Sequence, residues 1–258
     1  MRSNPVKDRL RGGGHAFGTM VFEFFTPGMA RIMDAAGAEF ALFDTEHSGA
    51  GIETVKQQMA YAAGTDCVPM VRVPDHAYHH IAGALDAGAF GIMAPMVETA
   101  EQAAHLVACT QYPPGGRRGA AFGVAHDDYR SGPVAEKVAA ANHRTLVIAM
   151  VETARGVAAV DEIAAVPGLD VLWLGHFDLT NSMGIPGQFD HPDYLDGVRR
   201  IRDAADRHGL ACGFMAADDV WAERYLGLGF RMMAYGLDHL VFQAALARGI
   251  AAMRGVVA

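Results

Sequence analysis

The chain has 258 residues, 51% of them apolar and 19% charged, with a formal charge of −8. This composition excludes a chain disordered beyond its tails, and the negative balance excludes the basic footprint of a nucleic-acid-binding domain. Three scattered cysteines, Cys67, Cys109 and Cys212, form no CxxC pair and read as buried reduced thiols of a cytosolic protein. The N-terminal stretch carries charge but no apolar core, so no secretory signal is expected. No apolar run approaches the roughly 20 residues of a membrane span, and a cytoplasmic location is expected.

Short apolar runs alternate with longer amphipathic segments. The first run is Ala16 to Phe22, with a helix from about Gly28 to Ala36. Glu39 to Phe43 comes next, then a helix near Ile52 to Ala63. Cys67 to Val73 precedes a helix near Tyr78 to Ala87, and Phe90 to Ala94 precedes one near Ala100 to Cys109. A glycine- and arginine-rich insert follows, including PPGGRRGAAFG from Pro113 to Gly123. Leu146 to Val151 leads into a helix reaching about Ala165. Val171 to Leu174 is followed by a long loop and a helix near Tyr194 to His208. Leu210 to Phe214 precedes a helix near Asp218 to Leu226, and Phe230 to Tyr235 a long closing helix to about Met253. Continuously apolar strands covered by crossover helices predict a parallel sheet. Eight such units in this length predict one (β/α)8 TIM-barrel domain over residues 1–258. A doubly wound open sheet is the alternative, but it usually has fewer strands.

Barrel chemistry sits at the C-terminal ends of strands. There the second run ends in Asp44-Thr45-Glu46-His47, the third carries Arg72, the fifth ends in Glu152, and the sixth ends in Gly175-His176-Phe177-Asp178. Each has an ordinary reading alone. Glu152 would favour the positive end of the next helix, Asp178 would cap a turn, Arg72 would make a structural ion pair, and His47 would be one loop histidine among 12. Together they are harder to explain that way, because two carboxylates, an arginine and a histidine converge where a barrel binds ligands. Other candidates are weaker. Gly12-Gly13-Gly14 precedes a strand, so it is no phosphate loop. Asp75, His76, His79 and His80 suggest zinc but are expected on a helix start and its exposed face. Arg117 and Arg118 lie in a glycine-rich loop that would clamp an anion only if it reached the mouth.

Glu152 and Asp178, on consecutive strands, can share one hard divalent cation. Two protein ligands leave positions for water and for the carboxylate and keto oxygens of a 2-oxo acid. The cation would then act as a Lewis acid toward an enolate. Arg72 would hold a carboxylate or oxyanion with its planar fork. His47 would move protons, with Asp44 placed to orient its ring.

Several ordered motifs resemble the HpcH/HpaI aldolase family: Phe43-Asp44-Thr45-Glu46-His47-Ser48, Val71-Arg72-Val73-Pro74, Leu85-Asp86-Ala87-Gly88 with Ala94-Pro95-Met96-Val97, Gly116-Arg117-Arg118-Gly119, Val151-Glu152-Thr153, and Gly175-His176-Phe177-Asp178-Leu179 with Met183-Gly184. The resemblance runs from about Phe17 to about Tyr235. It implies a (β/α)8 barrel and a class II pyruvate aldolase that cleaves 4-hydroxy-2-oxo acids to pyruvate and an aldehyde, and runs the reverse addition. It implies a divalent metal (Mg2+, Mn2+ or Co2+, with Zn2+ also admissible) on Glu152 and Asp178. It implies Arg72 on the keto oxygen or enolate, His47 as base, Asp44 in a relay with it, and Asp86 reaching in from a neighbouring subunit. The backbone of Gly175, His176 and Phe177 would receive the pyruvate carboxylate. A hexamer, a trimer of dimers, is implied, with the last helix, about residues 238–254, exchanged between subunits.

Two departures adjoin the metal and donor pocket. Met150 stands where family members often have Gln, and His176-Phe177 replaces Pro-Ala or Pro-Asn. Both are expected to bear on the donor, pyruvate or hydroxypyruvate. Oxaloacetate decarboxylation or malyl- or citramalyl-thioester lysis on the same site is the alternative chemistry, and a non-catalytic acid-binding barrel the alternative class. The string Met-Val-Glu-Thr-Ala occurs twice, at residues 96–100 and 150–154. Pro95 breaks the strand before the first copy, and Thr99 with Gln102 reads as a capping box. Only the second copy is expected to hold a metal.

Overall fold

The computed structural model describes residues 1–257. Eight parallel strands close into a barrel in chain order: β1 (Ala16–Val21), β2 (Phe40–Asp44), β3 (Val68–Arg72), β4 (Gly91–Ala94), β5 (Leu146–Val151), β6 (Val171–Leu174), β7 (Ala211–Ala216) and β8 (Met232–Leu237). The expected closed barrel is therefore present, and the open sheet is excluded. Around it run α1 (Pro5–Arg11), α2 (Met29–Ala35), α3 (Ile52–Ala62), α4 (Tyr78–Ala87), α5 (Ala100–Thr110), α6 (Val134–Arg144), α7 (Ala154–Ala158), α8 (Val160–Ala164), α9 (His176–Ser182), α10 (Pro192–His208), α11 (Asp219–Gly227) and α12 (Asp238–Val257).

Alternation along each strand splits the core in two. Phe40 and Leu42, Val68 and Met70, Ile148 and Met150, and Val171 and Trp173 fill the barrel interior. Intervening residues such as Ala41, Phe43, Val147, Val151 and Leu172 pack outward against the helices. Trp173 is 1% exposed and takes the space opposite Gly213, where an added Cβ would lie 2.2 Å from the indole.

Four helical pieces go beyond the sequence expectation. The insert holds α6 and a short 3-10 turn, Ala125–Asp127, and the loop after β6 opens with α9. The fourth, α1, plugs the bottom of the barrel with Val6 and Leu10. Its start carries ordinary signals: Asn4 accepts from the Lys7 N–H as the cap, and Pro5 sits in the first turn. Lys7 donates to the Thr145 carbonyl and pairs with Asp170 at 2.9 Å, both side chains 3% exposed.

One expectation is corrected at the other terminus. The sequence shows no membrane-length apolar run, because Gln243, Arg248 and Gly249 interrupt it. As a helix, however, α12 has 20 residues and is long and apolar enough, by length and composition, to cross a membrane. None of its apolar stretch is buried. Leu240, Val241, Phe242, Leu246 and Met253 are all exposed. Asp238 ties its first turn to the barrel by accepting the N–H groups of Phe22, Glu23 and Phe24.

The plug makes a stability test. Asp170→Ala leaves the Lys7 ammonium buried without its carboxylate, which is expected to cost about 3–5 kcal/mol. Thermal unfolding should register this as a large drop in Tm; a Tm unchanged from the parent chain would contradict the role given to the pair.

Candidate active site

The inward parity that packs the barrel continues past the last core layer. After Phe40 and Leu42 the next inward residue on β2 is Asp44; after Val68 and Met70 on β3 it is Arg72; after Ile148 and Met150 on β5 it is Glu152, one residue past the strand's end. Asp44 and Arg72 are register partners on adjacent strands. Val151 pairs with Leu174, so Glu152 and Gly175 come side by side one step further on.

Arg72 is 4% exposed and anchored on three sides. Its Nε donates to Asp44 Oδ1 at 2.5 Å, Nη1 lies 3.1 Å from Glu46 Oε2, and the guanidinium sits 5.2 Å from the Phe22 ring centroid. Nη2 is buried and has no partner among the described residues. An unmet charged donor is costly to bury, and this one belongs to a residue that lines the cavity at the mouth.

Glu152 is 3% exposed. Its Oε1 accepts the Met96 N–H at 2.6 Å. Burial, reinforced by the Glu46 and Asp178 carboxylates, pushes its pKa up to about 7, against the downward pull of the Met96 N–H and Arg72. Burial likewise raises Glu46, against Arg72. Gly175 makes room for Glu152, since an added Cβ would lie 2.3 Å from Oε2. Asp178 lies exposed in the first turn of α9 and does not cap it.

The remaining candidates fall as follows. Asp44 spends its second oxygen on the His47 backbone N–H at 2.7 Å, so it fixes Arg72 and the loop rather than the His47 ring. That ring is 58% exposed, with Glu46 Oε2 3.8 Å from Nε2. Glu46 stands in the sequence motif with no task assigned to it; its burial beside Arg72 emerges only in the fold. Gly175 uses its N–H on the Val151 carbonyl, which leaves the N–H groups of His176 and Phe177 at the uncapped start of α9. The His176 side chain sits among Phe177, Phe189, Phe214 and Trp221, and burial there pushes its pKa down to about 4. Asp86 ends α4, at the barrel end opposite the mouth, and pairs with Arg118 at 2.6 Å. Asp75 accepts the Ala77 N–H and pairs with His80.

The cavity at the mouth is about 210 Å³, lined by Phe22, His47, Arg72, Met150, Trp173 and the start of α9 among others. Among the described residues no group of three or more His, Cys, Asp or Glu side chains is placed to hold a metal. A cation here would have Glu152 and Asp178 as its protein ligands.

The two Met-Val-Glu-Thr-Ala copies touch. Thr99 and Gln102 form the expected capping box on α5, while Thr153 caps α7 without a return partner. Met96 adopts φ 53°, uncommon for a non-glycine residue, and delivers its N–H to Glu152. Glu98 accepts from Thr153 Oγ1 at 2.9 Å and pairs with Arg155. The first copy thus braces the second.

Residues 19–245 match the HpcH/HpaI aldolase/citrate lyase family. The chain belongs to that family. It is 37% identical to a hydroxypyruvate/pyruvate aldolase of Chromohalobacter salexigens over 94% of this chain and 95% of that one. It is 36% identical to a 5-keto-4-deoxy-D-glucarate aldolase of Salmonella arizonae over 85% of each. The crystal structure of an HpcH/HpaI aldolase from Desulfitobacterium hafniense superposes with a TM-score of 0.91 at 30% identity, covering 96% of both chains. This membership makes the chain a carbon–carbon lyase.

Two measurements test the geometry. Glu98→Ala removes a half-buried acceptor from Thr153 and is expected to cost about 1 kcal/mol, the scale of one such bond after solvent screening; unchanged denaturant stability would refute the brace. In the metal-free protein, a carboxyl protonated up to about 7 when folded but ionising near 4.5 when unfolded weakens the fold as pH rises between those values. Glu152→Gln is therefore expected to raise Tm at about pH 8 and to change it little at about pH 4. A difference that does not vary with pH would contradict the shift.

Proposed function

We propose that the chain is a divalent-metal-dependent class II aldolase that makes and breaks 4-hydroxy-2-oxo acids, with pyruvate or hydroxypyruvate as donor and an aldehyde as acceptor. The observation that carries this reading is the buried, unpartnered Arg72 Nη2 at a mouth also lined by Asp178 and His47. The names of the relatives support the donor class. A cavity of about 210 Å³ suits a three-carbon acid better than a nucleotide-tailed thioester.

The residues fit a hard cation. Glu152 is a buried carboxylate crowded by two others, and its Oε2 faces the space that Gly175 leaves. Glu152 and Asp178 would hold Mg2+, Mn2+ or Co2+, with Zn2+ also admissible. When bound, the cation supplies Lewis-acid stabilisation of negative charge on the 2-oxo group. Arg72 Nη2 donates to the oxygen that gains charge as the donor carbon loses its proton, and Asp44 and Glu46 keep the fork in that pose. His47 takes the proton in one direction and returns it in the other. In synthesis the donor carbon attacks the aldehyde carbon, one C–C bond forms and the new alkoxide takes a proton; cleavage reverses each change. The N–H groups of His176 and Phe177 receive the donor carboxylate.

The same reading covers assembly. The exposed apolar side of α12 is covered by exchange with a second copy, and Asp86 completes a neighbour's mouth in a hexamer of three dimers working in the cytoplasm.

Turnover assays with pyruvate or hydroxypyruvate, an aldehyde panel and Mg2+, Mn2+ or Co2+ test the proposal. Glu152→Ala is expected to abolish metal binding and activity. Arg72→Ala should abolish turnover while metal still binds by calorimetry. His47→Ala should slow turnover by roughly 10²- to 10⁴-fold. Product formation with every metal chelated away would rule out the proposed chemistry.

A further inference from the structure

At the opposite end of the barrel a cleft of about 450 Å³ opens between the C-terminal ends of α3 and α4 and the 3-10 turn at Ala125–Asp127. Four cations line it: Arg2, Lys56, Arg130 and Arg144. Among the described residues none of them forms an ion pair with a carboxylate, unlike Arg118, Lys137 and Arg224 elsewhere. Asp128 is the one acidic residue in the described lining. Four positive charges against one negative leave a surplus of three, on a chain whose formal charge is −8.

The arrangement is built rather than loose. Arg144 is 4% exposed. Its Nη2 donates to the His126 carbonyl at 2.9 Å, and its Nε is buried without a partner among the described residues. Its guanidinium lies 4.3 Å from the Phe90 ring centroid, and that of Arg2 lies 4.5 Å from the same ring. Arg2 is further held by the carbonyls of Thr65 and Cys67. One aromatic ring and a set of backbone carbonyls thus keep two like-charged forks together, where repulsion would drive them apart. Burial, then the nearby Arg118 and Arg2, push Arg144 down to about 10, with Asp128 opposing the fall. Lys56 and Arg130 are exposed at the rim, free to close over a ligand.

We propose that this cleft is a binding site for a dianionic phosphate, free or carried as a monoester on a small molecule. A monocarboxylate such as a 2-oxo acid would offset one of the three surplus charges. A phosphate group carries about −1.5 to −2 at neutral pH and presents three acceptor oxygens to the guanidinium forks. The volume is of the size that holds a small metabolite. The site lies at the far end of the barrel from Arg72 and Glu152 and shares no lining residue with the mouth.

Calorimetric titration of inorganic phosphate and of glycerol phosphate into the full chain tests this, beside the double variant Lys56→Glu, Arg130→Glu. Both substituted residues are exposed and lie outside the active site, so the fold is undisturbed; Arg144→Met serves as a second variant. Saturable binding is expected for the parent chain, with a phosphate-dependent rise in Tm. The double variant should bind about a hundredfold more weakly, about tenfold for each charge-assisted hydrogen bond removed. Tighter binding of glycerol phosphate would identify a monoester site, and equal binding a site for free phosphate. No binding to the parent chain, or equal binding to parent and double variant, would overturn the proposal. So would a double variant that changes oligomeric size in light scattering yet still binds phosphate, since the cleft would then be a subunit contact.

Discussion

The two-residue alternation of side chains along closed parallel strands is the constraint on which the rest depends. A barrel interior needs large apolar groups at every second position, and this chain supplies them in Phe40, Leu42, Met70, Ile148 and Trp173. The same parity, carried one step past the last apolar layer, sends Asp44, Arg72 and Glu152 inward to the mouth. A shift of one residue in β3 would send Arg72 among the helices and put Val71 or Val73 in its place. The strand register that packs the core is therefore also what assembles the chemistry, and the two cannot vary independently.

The mouth stores electrostatic cost. Glu152 is buried close to Glu46 and Asp178, and Arg72 keeps one nitrogen without an acceptor among the described residues. Surrounding contacts hold this set in place: Asp44 and Glu46 grip the guanidinium, Met96 turns its N–H onto Glu152 at a backbone angle few methionines adopt, and Glu98 bonds Thr153 behind it. Charge held ready in a fixed frame is what the proposed stabilisation of a developing oxyanion requires. It also separates the duplicated glutamates. Glu152 meets the cavity wall at Gly175, while Glu98 is engaged with Thr153 and Arg155.

Much of this is legible in the sequence because it is carried by local patterns. The runs at Leu146–Val151 and Val171–Leu174 and the helix at Tyr78–Ala87 match the observed elements end to end, since continuous apolar strands and glycine-terminated helices are short-range signals. The helices α1, α6 and α9 escape because each is short or largely polar and hides inside what reads as a tail or loop. The strand-end set is legible as a group. Its partners are not: Asp44 supports Arg72 across adjacent strands, Glu46 turns inward beside it, and the Met96 amide reaches Glu152 from 56 residues away. Side-chain contacts across a barrel depend on register and backbone angle, which a linear reading does not contain. The apolar character of α12 is hidden for a related reason, because its polar residues interrupt the sequence without lowering the helix's mean hydropathy enough.

The proposed function requires that the strand-end parity bring a cation and a donor oxyanion together around Glu152 and Arg72. A crystal structure of the full chain with Mn2+ and pyruvate, with the metal located by its anomalous scattering, tests it most directly. The expected result is a single cation on Glu152 and Asp178, with a pyruvate oxygen within hydrogen-bond distance of Arg72 Nη2. Manganese on Glu98, or pyruvate bound away from Arg72, would contradict the account.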